Sequence, residues 1–220
     1  MKQGLFFTFE GIDGCGKTTQ LKRAQDYLER KGLRCIVTRE PGGTPIGEKI
    51  REILLSRDHG EMCDPTELLL YLAARAQHVA EKIRPAIQAG QIVLCDRFQE
   101  ATFAYQGFGR GYDIEMLLAF NDFATSKLGP NHTFIFDIPV ERALERLKKM
   151  GKEADRLEQN PVEFYEKTRE GYRTLAQRYT GRMTLLDGCR SIDDLSADVR
   201  QCIDRLLAGT GCAAPAPDTA

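Results

Sequence analysis

The sequence carries no excess of either charge. Its 220 residues sum to a formal net charge of −1, so no overall basic field is present to hold a nucleic acid polymer. Long apolar runs are also missing. Five apolar residues precede Glu10, and the run from Leu68 to Ala74 ends at Arg75, so neither reads as a secretory signal or a membrane span. The seven cysteines form no C-x-x-C pair, and their odd number argues against a disulfide framework. Cys35 and Cys95 fall in apolar strand patterns, as reduced thiols in a cytoplasm do. His59, His78 and His132 lie apart from one another and from metal-ligand spacing, which excludes a zinc site and leaves them structural or surface residues. No N-K-x-D motif is present, against a GTPase switch, and the chain is short for a motor or helicase ATPase. The length suits one domain over residues 1–207, with the Gly-, Ala- and Pro-rich stretch 208–220 as a disordered tail.

What is present is a complete phosphate-binding loop, Gly11-Ile12-Asp13-Gly14-Cys15-Gly16-Lys17-Thr18, between the apolar strand pattern Leu5 to Phe9 and an amphipathic helix pattern. Glycines at 11, 14 and 16 permit positive φ, so that successive N–H groups and the positive end of the helix surround phosphate oxygens. Lys17 supplies a point charge to the terminal phosphates of a nucleoside triphosphate, and the Thr18 hydroxyl is placed to ligate Mg²⁺. The run from Gly11 through Thr19 is therefore the expected nucleotide-binding segment, for ATP if the resemblance described below holds.

Along the chain, strand patterns alternate with helix patterns. Leu21, Ala24 and Leu28 recur at helical spacing until Gly32, and Leu33 to Thr38 reads as a second strand. Gly47 to Ser56 reads as a helix with Ile50, Ile53 and Leu54 on one side. Asp64-Pro65 opens a rod reaching about Ala89, with Leu68, Leu69, Leu72 and Val79 apolar enough for the core. Tyr71 and Arg75 share a face of it, where spacing alone leaves a core aromatic with a snorkelling Arg as an equal reading. Ile92 to Asp96 has the form of a Walker B strand, whose terminal carboxylate holds Mg²⁺ directly or through water. Phe134 to Asp137 ends the same way. Asp96 is preferred because Arg97 and a polar, aromatic helix follow it. Gly107 to Gly111 reads as a flexible turn before a helix capped by Asp113. A helix from Pro139 to about Lys149 ends among Arg146, Lys148, Lys149, Lys152 and Arg156. Gly151 breaks the helix amid these cations, which suits a lid over phosphates across about 148–160. A helix from Pro161, a strand Met183 to Leu186, and a helix capped at Ser191 and ending at Leu207 complete the chain. Five strands alternating with helices predict an α/β fold of the P-loop NTPase kind: a parallel sheet with helices on both faces and a nucleoside monophosphate kinase-like lid.

Phe9-Glu10-Gly11-Ile12-Asp13-Gly14, Thr38-Arg39-Glu40-Pro41-Gly42-Gly43, Tyr71-Leu72-Ala73-Ala74-Arg75, Asp96-Arg97-Phe98 and Ala104-Tyr105-Gln106-Gly107 together resemble the thymidylate kinases, from about Leu5 to Leu207. The resemblance implies transfer of the γ-phosphoryl of ATP, with Mg²⁺, to dTMP. It implies that Tyr71, at a position that is commonly Phe, stacks on thymine while Arg75 reaches a base carbonyl. Thr102 contacts the pyrimidine edge, Tyr105 crowds the sugar 2′ position, and Asp13 accepts from the 3′-hydroxyl. Gln106 is counted with the dTMP site through its motif, and Arg39, Arg51 and Arg97 are candidates for the acceptor phosphate, Arg97 first. Some members of the family carry an arginine where this chain has Gly14. The chain thus resembles the bacterial class that draws charge from its lid, here Lys149, Lys152 and Arg156 acting with Lys17 and Arg97. A homodimer is implied too, with the apolar face of the Asp113 to Thr125 helix as one contact. For the adenine, Arg142 and the Asp187-Gly188 turn are loose candidates.

The alternatives are a kinase of the same fold for another nucleotide or a deoxynucleoside, and a nucleotide-dependent switch with no acceptor. A deoxynucleoside kinase would need a carboxylate base, for which Glu10 or Glu40 is available.

Overall fold

In β1 (Phe6–Glu10), Phe7 and Phe9 join one buried cluster and Phe6 joins another. β3 (Ile92–Asp96) divides the same way, with Ile92 and Leu94 on one side and Val93 and Cys95 on the other. Strands that are apolar on both faces need cover on both. The structure, a computed structural model, describes residues 3–151, 156–157 and 160–210. It completes the sheet with β2 (Cys35–Arg39), β4 (His132–Asp137) and β5 (Met183–Asp187), all parallel, in the order β2-β3-β1-β4-β5. The predicted five-stranded parallel sheet is present. Its register sets both Phe9 and Arg39 beside Asp96, so the phosphate loop and the two flanking strand ends open at one edge.

Around the sheet, α1 (Lys17–Arg30) follows the loop directly and buries Leu21, Ala24 and Leu28, as its spacing predicts. The α2 helix (Pro45–Leu55) is capped by the Thr44 hydroxyl, which accepts from the Gly47 N–H. Leu54 is buried there, but Ile53 is 43% exposed, so the predicted apolar side does not bury as a unit. The predicted long rod is α3 (Asp64–His78), a π-helical turn over Val79–Ile83, and α4 (Arg84–Gln88). The wider turn lies just before Pro85, which has no N–H for a regular helical bond. Leu69, expected in the core, is 59% exposed.

The predicted flexible turn at Gly107 to Gly111 is largely absent. A short helix α5 (Gln99–Thr102) runs into a π-helical segment, Phe103–Gly109, that includes its first glycines. A Cβ at Gly107 would lie 2.6 Å from Ile114 Cδ1, and one at Gly109 2.6 Å from Phe164 Cε2, so these glycines serve close packing. Asp113 caps α6 (Ile114–Thr125) through the Met116 N–H at 2.8 Å. Then come α7 (Val140–Lys149), α8 (Val162–Arg178) and α9 (Ile192–Thr210). Ser191 caps α9 by accepting from the Asp194 N–H at 3.1 Å. The helix runs past Leu207 to Thr210, where a tail was expected, and residues 211–220 lie outside the described residues. Among the described residues no helix is long and apolar enough to cross a membrane.

Candidate active site

The loop glycines adopt the predicted left-handed backbone, with φ of 134° at Gly11, 81° at Gly14 and 95° at Gly16. A Cβ on Gly14 would come 2.5 Å from the Ala143 carbonyl oxygen, so α7 closes this position to an arginine. Ile12 and Cys15 are buried beneath the loop, and Thr19 is exposed in the first turn of α1. Lys17 is buried, with Nζ donating to Asp13 Oδ1 at 3.2 Å. The same Asp13 oxygen accepts from Arg97 Nη2 at 2.7 Å, and Tyr105 Oη stands 3.4 Å from the other. Thr18 Oγ1 donates to Asp96 Oδ2 at 2.7 Å. Asp137, the competing strand end, is instead held by Arg169 through two bonds of 2.6 and 3.1 Å. The geometry therefore separates two aspartates that pattern alone left alike.

One cleft is lined by Asp13, Lys17, Thr18, Arg39, Arg51, Tyr71, Arg75, Asp96, Arg97, Thr102, Tyr105 and Gln106. The residues predicted for the acceptor thus converge with the loop. Arg75 is not a snorkelling surface residue. At 2% exposure it donates to Glu40 Oε2 (2.7 Å), Thr102 Oγ1 (2.8 Å), Asn121 Oδ1 (3.2 Å) and the Phe98 carbonyl (2.8 Å). Glu40 Oε1 bonds His78 Nδ1 at 3.0 Å, and His78 Nε2 bonds Thr38 Oγ1 at 2.6 Å, so His78 is structural as predicted and Glu40 is committed to this network. Sequence reasoning missed Asn121 and Tyr172. The one signal for Asn121 was a lone amide in a helix rich in apolar residues. Arg39 pairs with Glu48 at 2.8 Å, Arg51 donates to the Pro41 carbonyl at 2.9 Å, and Gln106 donates to Glu67 Oε1 at 3.0 Å.

Among the described residues, the predicted lid cations Lys149 and Arg156 do not gather at the loop. Lys149 is exposed at the end of α7, and Lys152 lies outside the described residues. Arg156 donates to Glu67 Oε2 at 2.6 Å and to the Leu54 carbonyl at 2.9 Å, on the α2 and α3 side of the cleft. Arg146, which the sequence groups with these cations, lies instead against the loop. Its guanidinium donates to the Gly14 carbonyl at 3.3 Å and the Gly188 carbonyl at 3.1 Å, while Arg142 is exposed on α7.

Charge in the site is set by these contacts. Burial alone would raise the Asp13 carboxyl, but Arg97 and Lys17 outweigh it and hold it well below the usual carboxylate range. Burial and Arg97 oppose the charge on Lys17, yet its acidic neighbours keep its pKa above the ordinary value. Glu40 is likewise lowered: Arg75 and His78 overcome the cost of burial. Glu10 goes the other way, up to about 8, because it is buried with Glu100 nearby. A buried carboxyl of that kind is no free base for a hydroxyl acceptor, since both its oxygens are engaged, by the Phe98 N–H at 2.6 Å and by Tyr172 at 2.8 Å.

The thymidylate kinase family model matches residues 9–199. The chain belongs to the thymidylate kinase family. Among its curated relatives, the thymidylate kinase of Exiguobacterium sp. is 46% identical over 207 residues, covering 94% of this chain and 97% of that one. That of Geotalea daltonii is 46% identical over 212 residues, covering 94% and 99%. A solved thymidylate kinase from Ehrlichia chaffeensis superposes with a TM-score of 0.73 at 31% identity, covering 92% of this chain and 99% of that structure. The family shares the P-loop kinase fold described above.

Proposed function

We propose that this chain transfers the γ-phosphoryl group of ATP to the 5′-phosphate of dTMP, giving dTDP and ADP. The observation that carries the reading is Asp13, one carboxylate that accepts from both Lys17 in the phosphate loop and Arg97 after β3. It ties the donor cation to the acceptor cation inside one cleft. The attacking atom is already a phosphate oxyanion, so the site needs no general base, and the engagement of Glu10 and Glu40 agrees with that. Lys17 binds the terminal phosphates of the donor, and Arg97 binds the acceptor phosphate with Arg39 and Arg51 at the rim. Tyr71 stacks on the base, Arg75 with Thr102 reads its edge, and Tyr105 stands at the sugar 2′ position. Gln106 closes the same wall.

A hydroxyl and a strand-end carboxylate at 2.7 Å suit Mg²⁺, a cation that completes its shell with water and substrate phosphates. Thr18 and Asp96 would hold it, and it would neutralise charge on the transferring phosphates. In this reading residues 1–207 form a single kinase domain. Its lid spans about 148–160, and Lys149, Lys152 and Arg156 there supply further positive charge. Alanine at all three is expected to lower kcat, and a kcat near wild type would remove the lid from the mechanism. We further assign a homodimer in the cytoplasm, supported by exposed Phe120 and Phe123 on α6. Phe123→Asp should give a monomer in sedimentation.

A coupled ADP-release assay across dTMP, dUMP, CMP and thymidine tests the activity. Strict ATP dependence with dTMP preferred is the expected result. Turnover of thymidine alone would favour a deoxynucleoside kinase, and no turnover with any monophosphate would sink the kinase reading.

A further inference from the structure

Arg97 sits in an unusual place in the chain. Its backbone is left-handed, with φ of 70°, in a region that side-chain-bearing residues rarely adopt. Its side chain is mostly buried, lies 4.9 Å over the Tyr105 ring, and is pinned at one nitrogen by Asp13. The other terminal nitrogen, Nη1, donates to the Tyr172 hydroxyl at 3.2 Å. Tyr172, on α8, is 2% exposed and bonds Glu10 Oε2 at 2.8 Å. Glu10 Oε1 accepts from the Phe98 N–H, the peptide that follows Arg97, at 2.6 Å. The fully buried Glu10 therefore holds Arg97 from two directions: through the backbone on one oxygen and through Tyr172 on the other.

A carboxyl with no exposure is costly to bury unless its bonds are made, so its position needs a reason in what those bonds organise. Here both lead to the same arginine. A hydroxyl both donates and accepts, so Tyr172 bridges guanidinium and carboxyl in either protonation state of Glu10. The Tyr172 ring is itself packed edge-on to Tyr105, at 6.3 Å between centroids, which leaves the hydroxyl little freedom. We propose that Tyr172 and Glu10 are positioning residues for phosphoryl transfer, fixing the guanidinium of Arg97 where it meets the acceptor phosphate. This rests on the role given to Arg97 above.

The test compares binding of dTMP and of thymidine, which lacks the phosphate, by calorimetry. Tyr172→Phe keeps the ring and removes the bridge. It should weaken dTMP roughly tenfold, the scale of one hydrogen bond to a charged group. Thymidine affinity should stay within about twofold, because the base and sugar contacts are untouched. In an Arg97→Ala background the same substitution should cost nothing further, the non-additivity of groups that act as a unit. Equal weakening of both ligands, unchanged dTMP affinity, or losses that add to those of Arg97→Ala would each overturn the proposal. If Arg97→Ala itself leaves the ratio of dTMP to thymidine affinity unchanged, the acceptor-phosphate role has failed, and the proposal with it. Should Tyr172→Phe not fold, Glu10→Met removes the bridge at similar volume. It should lower the affinity ratio where Glu10→Gln, which can still bond Tyr172, retains it. Equal ratios for these two would again overturn the proposal.

Discussion

On the side of the cleft proposed for the acceptor, Arg75 is buried among Glu40, Thr102, Asn121 and a backbone carbonyl, and Glu40 is buried in turn against His78. On the side proposed for the donor, Arg146 touches the loop through backbone carbonyls, and Lys149 is exposed at the end of α7. The first arrangement fixes polar atoms before any ligand arrives, and it loses a great deal if one partner is removed. In the second, Lys17 bonds one carboxylate and Arg146 bonds backbone carbonyls, while Lys149 is open to solvent. In the function proposed above, the first side reads a base edge, which demands fixed geometry, and the second neutralises phosphates.

Breaking the acceptor network should have the largest effect. Arg75→Ala leaves Glu40 buried without its cation, and stability by urea denaturation should fall by about 3–5 kcal/mol. A loss under about 1 kcal/mol would mean that the two sides do not differ as described. On the donor side the loss should be catalytic instead. Lys17→Ala is expected to lower kcat roughly 10²–10³-fold, the scale of removing one preorganised donor, with its melting temperature little changed.

Glu10, beneath the seam of the two sides, gives a pH test. Its carboxyl is raised from the ordinary 4.5 to about 8, so the native state binds more protons than the unfolded state between those values. Stability should therefore fall as pH rises from 5 to 8, by about 3–4 kcal/mol, and Glu10→Gln should flatten the profile. A wild-type profile as flat as that of the variant would count against the raised pKa. The smallest effect belongs to the base wall. Tyr71→Phe keeps the aromatic face and should change KM for dTMP less than about twofold, while Tyr71→Ala raises it about tenfold.

The sequence disclosed those parts of the site whose chemistry is local. A phosphate loop is written in consecutive residues, and its flanking strand and helix follow from apolar periodicity. Asp96 was preferred over Asp137 because Arg97 stands beside it, and the contacts to Thr18 and Arg169 set the two apart. What stayed hidden depends on distant pairing. Tyr172 lies 75 residues from Arg97, and Asn121 lies 46 from Arg75, so no spacing rule reaches either. The grouping of Arg146 with Lys148 and Lys149 was a matter of adjacency in the chain. On a helix Lys148, two residues on, points away from Arg146, and Arg146 turns toward Gly14. Gly107 and Gly109 looked like a flexible turn because glycine permits one. Neighbouring side chains from α6 and α8 occupy the space that a Cβ would need, and the segment is helical.

Asp13 has one more consequence, for recombination. It belongs to the phosphate loop by sequence, yet it closes an ion pair with a residue 84 positions away. A loop transplanted from another nucleotide-binding protein could match every glycine, the lysine and the threonine and still arrive without a carboxylate at this position. Arg97 would then stand mostly buried with its main counter-charge gone. The smallest unit that can be exchanged between proteins of this fold is thus not the loop. It is the loop together with the strand end that carries Asp96 and Arg97, two pieces of chain that must move together or not at all.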